Sequence, residues 1–213
     1  RRISPRLRPS EPLLLYVNVH GAVDGAGNPC LIPPGAAAGR SETWLPVRQV
    51  LERRKDPALL PAEVNKLLLL DCTRLRVHWP LGILENTFAA RLERVVEEVR
   101  VPNLAVLSAS GPGEASCVSR ELSGSVFGHH LSLGLAGEAD GERPGQTPDG
   151  RVSLHELHAY LTKSVGDWAQ RHRGESQQPM LIPANAADFD LGMALSGRGL
   201  RRFGEQLERS RRS

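Results

Sequence analysis

Aromatic side chains are scarce in this 213-residue chain: three Trp, two Tyr and four Phe make up 4% of it. Single-stranded nucleic acid is gripped by rows of stacking rings, so a pI near 9.0 does not by itself point to nucleic acid as the partner. The positive charge is also gathered at the ends. Net charge is +3, but Arg1, Arg2, Arg6 and Arg8 bring +4 and the six arginines and two glutamates of 198–213 bring another +4. Two basic arms therefore flank an acidic body, and nucleic acid is not expected as the main partner.

Long apolar runs are missing as well. No stretch approaches the roughly 20 residues that span a bilayer, and the first ten residues hold four arginines and no hydrophobic segment like that of a secretory signal. The expectation is a chain without membrane association, in the cytoplasm. Cysteine is limited to Cys30, Cys72 and Cys117, odd in number and far apart. A disulfide framework is not expected on that count, and free thiols in a reducing compartment fit better.

Metal and phosphate motifs are incomplete. His155-Glu156-Leu157-His158 lacks the i, i+4 histidine pair of zinc proteases. Gly145–Glu156 can be laid on a twelve-residue calcium loop, but Gly145 and Thr147 stand where Asp or Asn is needed. The run Ser108-Ala109-Ser110-Gly111-Pro112-Gly113 matches neither a P-loop nor a dinucleotide fingerprint, and Glu114 after it would repel an anion. No metal and no cofactor is expected.

What is present is a set of apolar strands that end in polar residues. Leu67–Leu70 run straight into Asp71-Cys72-Thr73-Arg74, and Leu13–Val19 is almost continuously apolar before His20-Gly21. Such runs fit strands of a sheet covered on both faces. Asn103–Leu107 reads as a third strand and Pro179–Ile182 as a short last one. Helices are expected over 45–55, 81–99, 125–135 and 154–171, the last opened by a Ser153-x-x-Glu156 capping box. The Gly- and Pro-dense segment 22–40 reads as a long surface loop in which Pro29–Pro34 is at most an edge strand. Strands alternating with helices argue for an α/β fold with a mostly parallel sheet and helices on both faces.

In open parallel sheets the functional crevice lies beyond the carboxyl ends of the strands. The candidates gathered there are His20, the 71–74 turn and the loop starting at Ser108. A thiolate at Cys72 with His20 as its acid–base partner would suit acyl transfer, with backbone N–H groups near Gly21 holding the oxyanion. Ser108 and Ser110 would line the substrate.

His20-Gly21 after one apolar strand, then 52 residues to a second strand ending Asp71-Cys72-Thr73-Arg74, resembles the caspase and metacaspase family of cysteine peptidases. The segments 125–131 (S-V-F-G-H-H-L), 149–157 (D-G-R-V-S-L-H-E-L) and 177–181 (Q-Q-P-M-L) are similar to stretches of bacterial caspase-like domains. The resemblance implies a caspase-hemoglobinase-like three-layer sandwich over 13–183, between a basic lead-in, 1–12, and an Arg-rich tail, 184–213. It implies His20 as catalytic histidine, cysteine endopeptidase activity on a peptide or protein, and Asp71 as an acid selecting Arg or Lys before the cut bond. Arg74 matches the arginine that follows the caspase cysteine. The chain departs from the pattern at the nucleophile turn: metacaspases read Asp-x-Cys, which puts Thr73 rather than Cys72 at the nucleophile. A threonine there is poorly activated by histidine alone. The alternative is a catalytically inactive caspase-fold module that binds partners.

Overall fold

The structure, a computed structural model, describes residues 11–37, 39–57, 59–74, 87–195, 199 and 202–206. Contacts divide the chain into two compact units, Arg1–Ala115 with Leu181–Ala187 and Ser116–Met180 with Asp188–Ser213. No helix among the described residues is long and apolar enough to cross a membrane.

The first unit is built on β1 (Leu13–Val17), β5 (Lys66–Leu70), β6 (Leu104–Ser108) and β10 (Met180–Ile182), side by side in that order. β1 and β6 both run parallel to β5, Leu13 opposite Lys66 and Lys66 opposite Leu104. This is the mixed α/β fold with a mostly parallel sheet that the apolar runs predict. Every residue of β5 is buried, which is why its sequence shows no polar alternation. Lys66 opens the strand from inside: its ammonium donates to the carbonyls of Ala62 (3.2 Å), Val64 (2.7 Å) and Pro102 (3.1 Å), and burial pushes its pKa down.

The segment 22–40 is more structured than expected. His20-Gly21 does not close the first strand but opens β2 (His20–Val23), which pairs antiparallel with β3 (Pro29–Ile32), itself paired with β4 (Leu45–Pro46). β3 is thus the middle strand of this small sheet, not an edge strand. Pro29 is tolerated because it takes the strand's first position. Ala22, Cys30 and Trp44 form a buried cluster beneath Ile32 and Ala36. The helix expected over 45–55 starts after β4, as α1 (Val47–Lys55).

α2 (Phe88–Val99) buries Phe88, Leu92, Val95 and Val99 at three- and four-residue steps, as its periodicity predicts. The part of that helix expected before residue 87 lies outside the described residues.

In the second unit, the hairpin of β7 (Val118–Ser119) and β8 (Gly124–Ser125) leads into α3 (Val126–Leu133), which continues as a π-helical turn, Gly134–Glu138. α4 (Leu154–Arg173) begins with the capping box read from the sequence: Ser153 Oγ accepts from the Glu156 N–H at 3.3 Å, and Glu156 Oε2 accepts from the Ser153 N–H at 2.9 Å. Leu154, Leu157, Leu161 and Val165 are fully buried along one face. β9 (Arg151–Ser153) pairs antiparallel with β11 (Asp190–Met193), a strand inside the stretch read from the sequence as tail. Gln177, also fully buried, accepts the Cys117 N–H at 2.8 Å.

His158 supplies a pH test of this unit. Burial pushes its imidazole below the ordinary value of 6.5, against the opposing effect of its Nε2–H donating to the Pro179 carbonyl at 3.2 Å. As pH falls below 6.5 the unfolded chain takes up the proton while the folded one resists, so stability drops until the folded pKa is passed. The urea midpoint is expected to fall from pH 7.5 to pH 5, and to fall less in His158→Gln, which keeps a donor for Pro179.

Candidate functional site

The strand-end candidates lie together in the first unit, and the alternation of β5 sorts them. Asp71, Cys72 and Thr73 follow the strand directly, and each faces a different neighbour. The Asp71 N–H donates to the Val17 carbonyl at 2.9 Å, continuing the ladder with β1. Its carboxylate is 0% exposed, receives the Tyr16 hydroxyl at 2.9 Å and stands 3.8 Å from the Arg74 guanidinium. Arg74 also donates to the Asn18 side chain, and Asn18 in turn donates to the Tyr16 hydroxyl at 3.1 Å. Asp71 is therefore buried between Tyr16 and Arg74, which Asn18 links to each other.

Cys72 is 0% exposed, and its thiol is aimed at the Val17 carbonyl, 3.7 Å away. Burial pushes the thiol up to about 12; the hydrogen bond from the Val19 backbone and the nearby Arg74 charge lower it, and the Asp71 charge raises it further. The environment of an activated cysteine is electropositive and part-exposed, with the pKa lowered. Cys72 is instead fully buried, between one acid and one base, with its pKa raised.

Thr73, 3% exposed, turns the other way, toward β6: its hydroxyl lies 2.7 Å from that of Ser110. Ser110 is itself 0% exposed, as is Ser108, whose hydroxyl donates to the Ser110 carbonyl at 2.9 Å. Glu114 folds back on the same loop and accepts the Gly111 N–H at 3.0 Å. Both serines hold the loop's shape from within.

His20 is exposed at the start of β2. It is brought to the turn through its neighbour, because the Gly21 N–H donates to the Cys72 carbonyl at 2.7 Å. That bond engages the donor the sequence assigns to an oxyanion. A Cβ placed on Gly21 would come within 3.1 Å of the Cys72 Cβ, so the glycine is what lets β2 approach so closely.

Tyr16 and Asn18, which complete the Asp71 network, were not singled out in the sequence. Their signal is the two-residue spacing that puts both on one side of a strand. No group of three or more His, Cys, Asp or Glu side chains suited to a metal ion is found among the described residues. In comparisons with known proteins, no family model and no curated protein matches the chain.

Proposed function

We propose that this chain carries a caspase-like α/β module that is catalytically silent and acts by binding a peptide or protein partner. One observation carries the reading: the only thiol at the strand-end turn is fully buried with its pKa pushed to about 12, and the neighbouring threonine hydroxyl is paired with Ser110. A nucleophile needs access, a base and a lowered pKa, and Cys72 and Thr73 share their surroundings with core atoms instead. The family resemblance itself rests on the order and spacing of His20-Gly21, the 71–74 turn and the downstream segments.

The rival reading, a cysteine endopeptidase cutting after Arg or Lys, draws on the Gly21-to-Cys72 bond that seats the histidine's neighbour on the turn. Two measurements part them. Arg- and Lys-specific fluorogenic peptides are expected to show no turnover above background with the parent chain or with Thr73→Cys. Iodoacetamide at pH 8 is expected to modify Cys72 at least about a hundredfold more slowly in the folded chain than in urea, since the thiolate fraction falls as the pKa rises. Turnover that is abolished by Cys72→Ala or by Thr73→Ala overturns the silent reading.

A further inference from the structure

In the second unit, α4 and the β7–β8 hairpin border an open cleft of about 740 Å³, within the size range of small-ligand sites. One wall is the indole of Trp168, already held in place from its own helix. His172, one turn on, stacks with it at 4.7 Å between ring centroids and 23° between planes. The Arg173 guanidinium stands 5.5 Å from the ring centroid and donates to the Val118 carbonyl at 3.2 Å. Val118, 49% exposed, brings an open apolar side chain to the cleft, and Arg120 brings a second, exposed guanidinium from the hairpin turn. Among the described residues, Glu121 is the one acid in the lining.

Part of this arrangement has a plain structural cause. Basic residues in the last turn of a helix complement its carboxyl-end partial charge, and Arg171 is already paired with Asp167 at 3.1 Å. That cause does not reach Arg120, which sits on the hairpin, nor does it explain why Trp168 and Val118 border open space beside two guanidinium groups.

We propose that this cleft binds an acidic peptide, with a side-chain carboxylate between Arg120 and Arg173 and a neighbouring apolar side chain against Val118 and Trp168. A guanidinium presents a planar fork of donors that matches a carboxylate, and Arg173 has most of its donors left after the one given to Val118. Because the indole and the Val118 carbonyl already order that side chain, little further rotamer freedom is lost on binding. Trp and Arg are also the side chains that most often dominate binding energy. A phosphate-rich ligand fits less well, since α4 turns its carboxyl end to this region and the partial negative charge there opposes a multiply charged group. The site extends the partner-binding reading but lies entirely in the second unit, so peptidase turnover at the strand-end turn would leave it standing.

Phage-displayed peptides selected against the intact chain, then measured by fluorescence polarisation, test the assignment. Enriched sequences are expected to carry Asp or Glu beside an apolar residue. Arg120→Glu is expected to weaken them by about tenfold or more, and Arg120→Lys to weaken them less. Val118→Asp is expected to weaken them comparably. Arg120 is exposed, so the urea midpoint of Arg120→Glu should equal the parent's, separating loss of binding from loss of fold. A selection that enriches nothing or only acid-free peptides overturns the proposal, as does equal affinity for the parent and Arg120→Glu. Displacement of the peptide by ATP at equal concentration would move the cleft to nucleotides and overturns it too.

Discussion

Gly21→Val is expected to lower the free energy of unfolding of the first unit by about 3 kcal/mol or more, and Gly21→Ala by about 1–3 kcal/mol, because both add volume where the core has none to give. A Cβ at this position would lie 2.9 Å from Cδ2 and 3.0 Å from Cε2 of Phe88, and 3.1 Å from the Cys72 Cβ. Neither neighbour can retreat cheaply. Phe88 and Cys72 are both 0% exposed, the first at the start of α2 and the second at the end of β5. Moving β2 away would break the 2.7 Å bond from the Gly21 N–H to the Cys72 carbonyl. Urea unfolding followed by circular dichroism reads the loss, and trimming Phe88 to leucine in the Gly21→Ala background should recover part of it, since residues in contact do not act additively. A neutral Gly21→Ala would show that β2 does not pack this closely on the turn. The glycine after the histidine, read from sequence as an oxyanion donor, has a packing reason of its own: a side chain of any size would push β2 away from the 71–74 turn.

The elements that were legible in the sequence are those whose side chains carry a strong pattern. β5 announces itself by four consecutive leucines, α2 by its periodic apolar face, and α4 by a capping box whose two hydrogen bonds are both formed. The small sheet of β2, β3 and β4 was missed because it is held by backbone pairing and buries small residues such as Ala22 and Cys30, which leave little periodic signal. β11 was missed for a related reason: Asp190-Leu191-Gly192-Met193 has weak strand propensity, and its register shifts between Asp190 and Gly192. At the site, alternation alone predicts that Cys72 and Thr73 face opposite ways. Which way leads to Val17 and which to Ser110 depends on β5 lying between β1 and β6, and that order is set by tertiary packing. The cleft of the second unit shows the same division: Trp168 and His172 are visible in sequence as an i, i+4 pair, but the hairpin that stands beside them is not.

Glu156→Ala is expected to cost the second unit about 3–4 kcal/mol, by removing two hydrogen bonds to a charged acceptor and part of a helix cap. The carboxylate is 6% exposed and uses both oxygens: Oε1 accepts the Gly141 N–H at 3.0 Å, and Oε2 accepts the Ser153 N–H at 2.9 Å. It therefore ties the start of the 141–150 loop to the start of α4. Asp140 clasps the far end of the same loop, accepting the Asp149 and Gly150 N–H groups at 2.9 Å each. Alanine would leave two part-buried backbone donors without their acceptor, whereas Glu156→Gln keeps one carbonyl oxygen and should lose about half as much. Asp140→Asn should add less on top of Glu156→Ala than it costs alone, because both changes release one loop. Calcium provides the sharpest contrast, since 145–156 can be laid on a twelve-residue calcium loop with Glu156 in its last place. The last position of such a loop offers both carboxylate oxygens to the ion, while here both are filled by N–H groups from the chain itself. Millimolar calcium is accordingly expected to leave the urea midpoint of the parent where it stands, and a rise in that midpoint that Glu156→Gln abolishes would mean that the loop opens to take the ion.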